Sequence, residues 1–271
     1  MKNQTFSIVV VGLACAAMSA HAATPTFKKL QLTDQFYCEG AYYADFNKDG
    51  KLDVVNGPFW YEGPDFTRKH EVRPPQTFPP EKYSDNFLTY TGDFNGDGWP
   101  DIFYVPWPGK KGFWYENPAG KDQHWREHAA FEPIDNESPM WGDVTGDGKP
   151  ELVFNANGCL GYLTYDPAKP GELWTFHPIT PQRKQYHKYT HGIGFADING
   201  DGRVDILEKD GWWEQPANAR PGEPWIEHPV KFADAACQMF GYDVDGDGLK
   251  DVITTWHCHK YGLLWWKQVK S

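Results

Sequence analysis

Cysteine is scarce in this sequence, with five residues in 271, and that excludes a disulfide-dense scaffold. If Cys15 leaves with a leader, Cys38, Cys159, Cys237 and Cys258 remain; they allow three pairings that sequence cannot rank. Positive charge is also short. Lys and Arg number 26 against 37 Asp and Glu, the net charge is −11 and no basic patch offsets it, which argues against nucleic acid as a partner. Long apolar runs are missing except near the start. Ile8 to Ala20 follows the basic Lys2, is too short to span a bilayer comfortably, and ends at the small-x-small stretch Ala20-His21-Ala22. Residues 1–22 therefore read as a signal peptide and 23–271 as a single exported domain, periplasmic or extracellular. A faint lipobox at Leu13-Ala14-Cys15 is the alternative.

The sequence is rich instead in a repeat. DFNKDGKLD, DFNGDGWPD, DVTGDGKPE, DINGDGRVD and DVDGDGLKD begin at Asp45, Asp93, Asp143, Asp197 and Asp243, with starts 48, 50, 54 and 46 residues apart. Each is followed by an apolar β-type run, then by aromatics such as Phe113-Trp114-Tyr115 or Trp212-Trp213, then by an edge-like segment such as HWREHAA. A unit thus reads as four short strands, one propeller blade. The fold expected is an all-β, five-bladed β-propeller. The fifth unit lacks a fourth strand, and FKKLQL (Phe27 to Leu32) has the length to supply it, so an N-terminal strand is expected to complete the last blade.

The loops have the donor pattern of a calcium site. Position 1 is Asp45, Asp93, Asp143, Asp197 and Asp243; position 3 is Asn47, Asn95, Thr145, Asn199 and Asp245. Position 5 is Asp49, Asp97, Asp147, Asp201 and Asp247, and position 9 is Asp53, Asp101, Glu151, Asp205 and Asp251. Position 7 would add a backbone carbonyl from Lys51, Trp99, Lys149, Arg203 or Leu249. Calcium takes six to eight hard oxygens, which such a loop can gather around one ion, and the Gly at position 6 permits the turn. Up to five structural calcium ions are expected. The sixteen loop carboxylates would otherwise repel one another. Metal-free Asp/Asn/Gly turns are the plainer alternative. An ion enclosed by protein oxygens leaves no open position for substrate, so these loops are scaffold.

Alternation of strands places the segments before each first strand, and the connections between second and third strands, on the side opposite the loops. There the repeats diverge: Glu39, Phe87, Glu137, His191 and Gln238 precede first strands, while Trp107, Asn155, Lys209 and His257-Cys258-His259 lie in connections. Unlike residues converging on one mouth mark a binding or catalytic site. His70, His128, His177 and His228 recur in step with the repeat and read as structural, whereas His187, His191, His257 and His259 do not recur. The latter could act as general bases or, with Glu137, ligate a second divalent metal such as zinc; polar partners lining a channel are the equal alternative. Cys237 or Cys258 could join such a site, or Cys38 and Cys237 could pair. Trp107, Trp256 and Tyr261 could stack on sugar rings.

The D-x-[DN]-x-DG-x-x-D units resemble the FG-GAP/VCBS repeat proteins over the whole mature chain. DNESPMWGDVTGDGKPELVF, YTHGIGFADINGDGRVDILEKDGWWEQP and QMFGYDVDGDGLKDVITTWHCHKYGLLWW further resemble the propeller domain of the aldos-2-ulose dehydratase family. That resemblance implies dehydration of a keto-sugar, with a metal and histidines at the channel and with Glu137, His191, Gln238 and His259 at the matching positions. A lyase or dehydratase acting on carbohydrate is the leading expectation, and a non-catalytic module binding a glycan or a protein is the alternative.

Overall fold

The computed structural model describes residues 26–270. The chain divides into two units, residues 1–31 and 32–271. The first holds the expected signal peptide, which lies outside the described residues; its described part, 26–31, is irregular and exposed.

The second unit is built of antiparallel strands, with no helix among the described residues. The first sheet has the order β1 (Ala41–Ala44), β2 (Asp53–Asn56), β3 (Phe59–Tyr61), β4 (Lys69–Glu71). The second repeat runs through β5 (Leu88–Gly92), β6 (Asp101–Val105) and β7 (Lys110–Glu116) into β8 (Arg126–Gly142). The third runs from β8 through β9 (Glu151–Ala156) and β10 (Cys159–Thr164) to β11 (Thr175–Pro178), so one seven-stranded sheet carries both repeats. β8 achieves this because its first half pairs with β7 and its second half with β9, with register irregularities in between. The third sheet is β12 (Ile193–Ala196), β13 (Asp205–Glu208), β14 (Gly211–Glu214), β15 (Ile226–Pro229), and the last is β16 (Phe240–Tyr242), β17 (Asp251–Thr255), β18 (Leu263–Trp266). In every repeat the Asp-rich loop joins the first two strands, as the spacing predicts.

The N-terminal strand expected to complete the last blade is not formed. Residues 27–32 carry no strand, Phe27 is 95% exposed, and the last sheet stops at three strands. The pattern agrees: Leu30 and Leu32 share a face with Lys28, and Phe27 falls on the other with Lys29 and Gln31, so neither face of FKKLQL is wholly apolar.

Apolar clusters lie between successive repeats. The first residue after Asp at position 1 points inward in each loop but the last: Phe46, Phe94, Val144 and Ile198 are buried, whereas Val244 is 42% exposed. Phe94 meets Trp114 edge-on with ring centroids 5.7 Å apart and Trp174 at 4.9 Å; burying side chains of this size stabilises by ~1.5–3 kcal/mol each. Glycine allows close approach of first strands. A Cβ on Gly142 would run into the Phe195 ring, and one on Gly194 into the Met239 backbone. At the two ends of the series the corresponding faces are open, with Tyr43 55% and Tyr242 63% exposed.

Candidate functional site

Each Asp-rich loop is organised by its own carboxylates. The position 1 carboxylate accepts backbone N–H bonds across the turn: Asp45 from Asp49 at 3.0 Å and Gly50 at 2.9 Å, Asp243 from Gly246, Asp247 and Gly248 at 2.7–3.0 Å. Position 5 accepts from the N–H of position 7, from Lys51, Trp99, Lys149, Arg203 and Leu249 at 2.8–3.0 Å. Gly50, Gly98, Gly148, Gly202 and Gly248 at position 6 have φ of 81–87°, a conformation that glycine adopts without strain. Asp243, Asp245 and Asp247, and separately Asp143, Asp147 and Glu151, place oxygens within 4.8 Å of one another. An all-oxygen donor set of this density fits a hard cation such as calcium. Lys267 ion-pairs with Asp245 and Asp247, and Arg203 with Asp201, which already relieves part of the repulsion.

Position 9 is employed differently from the other oxygen-bearing positions of the loop. Its carboxylate is buried in all five repeats and in four of them latches the loop to the rest of its unit, whereas Glu151 in the third accepts from Val144 N at 2.9 Å and Thr145 N at 3.2 Å within its own loop. Asp53 accepts from Phe46 N at 2.8 Å and Gly63 N at 2.8 Å; Asp101 from Phe94 N and Asn117 N; Asp205 from Ile198 N and Gln215 N; Asp251 from Val244 N and Gln268 N. Burial, opposed by these N–H bonds, raises the Asp101 carboxyl to about 8 and the Glu151 carboxyl to about 7. At Asp251 burial is outweighed by N–H bonds from Gln268, Trp265 and Val244, and the carboxyl sits below its ordinary value.

The residue that closes each latch also reaches the preceding repeat. Asn117 Nδ2 donates to Phe46 O at 3.0 Å, Gln215 Nε2 to Val144 O at 3.0 Å and Gln268 Nε2 to Ile198 O at 3.1 Å. In the third repeat Tyr165 takes that place and packs edge-on against Phe94, centroids 5.0 Å apart. In the first it is Gly63, which has no side-chain amide to offer. The recurrent histidines have a second repeating role. His70, His128 and His228 stack on Trp60, Trp114 and Trp212 with centroids 4.0–4.1 Å apart, and their Nε2 atoms meet Glu62, Glu116 and Glu214 at 2.7–3.0 Å. His177 stacks on Tyr162 and meets the Thr164 hydroxyl at 2.8 Å instead; burial lowers its pKa.

The non-recurrent histidines separate into two kinds. His191, Cys258 and His259 offer ligand atoms within 4.8 Å of one another, and the two imidazoles meet edge-on with centroids 5.0 Å apart. Glu137 Oε2 lies 3.1 Å from His191 Nε2, both side chains mostly buried. His191 Nδ1 faces the Tyr189 carbonyl at 3.1 Å. A carbonyl only accepts, so Nδ1 carries hydrogen. Nε2 of a neutral ring would then present a lone pair to a carboxylate, a repulsive contact unless a proton or a metal ion lies between them. Nitrogen, nitrogen, sulfur and a nearby carboxylate form a donor set suited to zinc-type ions, and three protein ligands leave a position open. Burial, followed by the neighbouring Cys237, pushes the Cys258 thiol up, and Glu137 acts in the same direction.

His187 and His257 do other work. Each accepts a backbone N–H at Nδ1, from Tyr189 at 3.3 Å and His259 at 3.2 Å, capping the turns on which His191 and His259 stand. Gln238 contributes its backbone carbonyl to the Thr254 hydroxyl at 3.2 Å. The segment bearing His191 is tied to β8 by Asn136 N to Lys188 O at 2.8 Å and Glu137 N to Thr190 O at 2.9 Å. Cys258 is held by its N–H to Ala235 O at 2.6 Å. The four described cysteines are free thiols; Cys38 is buried, donates to Gly40 O at 2.9 Å and is pushed up to about 12, chiefly by burial.

No curated protein matches the chain. Among solved structures, the Photorhabdus luminescens Tc holotoxin pore is similar at 18% identity and TM-score 0.44, covering 89% of this chain and 11% of that one. A lectin of Agrocybe aegerita that recognises non-reducing terminal N-acetylglucosamine is similar at 16% identity and TM-score 0.48, over 83% of this chain and 65% of the lectin. The biofilm matrix protein Bap1 of V. cholerae is similar at 21% identity and TM-score 0.38, over 66% of this chain and 30% of that protein. The chain thus spans less than two thirds of each of these three proteins. Residues 93–154, which contain the second and third Asp-rich loops and the long strand between them, match the FG-GAP-like repeat family model, and this chain therefore carries an FG-GAP-like repeat.

Proposed function

We propose that this protein is an exported, calcium-stabilised β-propeller of five FG-GAP/VCBS-type blades that acts on a carbohydrate, as a lyase or dehydratase of a keto-sugar. The observation that carries the reading is the convergence of His191, His259 and Cys258 within 4.8 Å, with Glu137 3.1 Å from His191. The resemblance of the surrounding sequence to the aldos-2-ulose dehydratase propeller supports it. A divalent ion held by Cys258 and between His191 Nε2 and Glu137 would supply Lewis acidity toward the substrate ketone. His191 has both ring nitrogens engaged, so the more exposed His259, left outside that ligand set, is assigned as the base that takes the proton α to the ketone. The electron pair left by that proton expels the β-hydroxyl, which leaves as water after protonation, and an enone remains. Glu137 orients His191.

The competing reading is a glycan-binding module without turnover, favoured by exposed aromatics on neighbouring loops: Tyr83 at 61% and Tyr189 at 44% exposure. Two measurements separate them. Elemental analysis of the purified protein is expected to find one zinc-type ion besides calcium, lost in His191→Ala. Incubation with 1,5-anhydrofructose is expected to produce ultraviolet absorbance from an enone, abolished in His259→Ala. Absence of both the ion and the enone removes the enzyme reading and leaves binding.

A further inference from the structure

Three loops from three different repeats bring aromatic rings together beside the histidine cluster. Tyr83 lies between β4 and β5, Trp107 between β6 and β7, and Tyr189 between β11 and β12. The Tyr83 and Trp107 rings are 3.9 Å apart at 34°, and Phe87 supports Trp107 edge-on at 5.3 Å. Tyr189 continues the row 6.3 Å from Trp107, with Lys188 Nζ 4.8 Å from its ring centre. The Tyr189 carbonyl is the group that fixes His191, so the row ends where the cluster begins.

Beside Trp107 lies a cleft of about 520 Å³, inside the ~300–1,000 Å³ range of small-ligand sites. Its charged lining is balanced, with Arg73, Lys110 and Lys111 against Asp85, Glu127 and Glu132. Three of these are already committed. Arg73 forms a two-pronged pair with Asp85 at 2.6 and 2.7 Å, and Glu127 accepts from the Tyr115 hydroxyl at 2.6 Å. Such a lining offers donors and acceptors in equal measure and no surplus of either sign.

We propose that Tyr83, Trp107 and Tyr189, with the adjoining cleft, form a subsite for a neutral hexopyranoside ring, placed to hold a sugar residue next to the one at the histidine cluster. A pyranose ring presents a C–H face that packs on an aromatic ring and a rim of hydroxyls that both donate and accept. An aromatic row edged by balanced charge matches both parts. A phosphate- or carboxylate-rich ligand would find no net positive lining there, within a chain of net charge −11. The proposal rests on the carbohydrate reading above and assigns it a stacking surface and a class of sugar.

The test is binding of the purified full chain to neutral hexose pentasaccharides (cello-, laminari-, malto-, manno- and chitopentaose), read by tryptophan fluorescence and calorimetry. Oligogalacturonate and single-stranded oligothymidylate serve as charged comparators. At least one neutral sugar is expected to bind, and Trp107→Ala and Tyr189→Ala are each expected to weaken it about tenfold or more, roughly 1.4 kcal/mol. Tyr83→Ala, at a more exposed position, guards against a folding defect in the Trp107 variant, and melting curves are recorded for all three. Binding of no neutral sugar, tighter binding of either charged comparator, or unchanged binding in all three variants overturns the subsite. Metal content of the same preparations reports on the histidine cluster alone, so loss of one reading is visible apart from loss of the other.

Discussion

Glu208 offers a sharp test of how charge is buried in this fold. It ends β13 with 5% of its surface exposed, and its carboxyl has only long polar contacts, with the Tyr186 hydroxyl at 3.4 Å and Asp210 N at 3.4 Å. Burial, followed by the nearby Asp210 carboxylate, raises its pKa from the ordinary 4.5 to about 7. The folded chain therefore binds this proton more tightly than the unfolded chain does. The stabilisation is fully present below about pH 4.5 and is lost as pH rises through about 7. The separation of the two values corresponds to about 3 kcal/mol. Glu208→Gln keeps the shape and removes the titration. Urea unfolding of both proteins at fixed calcium, at pH 5 and again at pH 8, gives the comparison, because every other titrating group cancels in the difference. The variant should gain about 2–3 kcal/mol relative to the parent between the two conditions. A difference that stays constant with pH would refute the burial argument at this site.

Four other outcomes follow from the geometry. Strong chelation should lower the melting temperature markedly, since the loop carboxylates lose their shared cations; an unchanged melting curve with and without chelator would count against calcium in the loops. Asn117→Ala strips Phe46 O, Pro100 O and Ala119 N of a partner and should cost about 2–3 kcal/mol in urea unfolding. His128→Ala removes both the stack on Trp114 and the bond to Glu116, for about 2 kcal/mol by the same measurement. Cys258→Ser should weaken zinc-type binding without altering calcium content, read by elemental analysis; an unaffected zinc level would place Cys258 outside the ligand set.

The repeat was legible because DG-centred loops recur in phase and each is followed by an apolar strand and, in four of the five, by adjacent aromatics. The position of β1 to β18 follows that pattern closely. The pairing of His191, His259 and Glu137 was also foreshadowed, since these residues break the repeat on the side opposite the loops. Cys258 sat between His257 and His259 in the same stretch, where only the turn geometry distinguishes the two histidines. The latch at position 9 was not legible, because an Asp that accepts backbone N–H bonds looks the same in sequence as an Asp that binds metal. The inter-repeat amides had left a signal: WYEN, WWEQ and WWKQ end at Asn117, Gln215 and Gln268 in matching places. The same words hold Glu116 and Glu214, partners of His128 and His228. The fusion of two repeats through β8 depends on pairing partners on both sides, which no local pattern encodes.

The amide that crosses from one repeat to the loop before it makes the chain directional. The first, third and fourth loops are steadied in this way by their successors, so any cation they hold would depend partly on the next unit. Loosening the fourth repeat at Gln215 should weaken the third loop before it weakens the fourth. Influence of this kind travels from the C-terminal side toward the N-terminal side, one neighbour at a time. The fifth loop, with Val244 42% exposed and no successor among the described residues to clasp its carbonyl, should be the first to let go as calcium is withdrawn. Titration of the loops would then be ordered along the sequence rather than simultaneous.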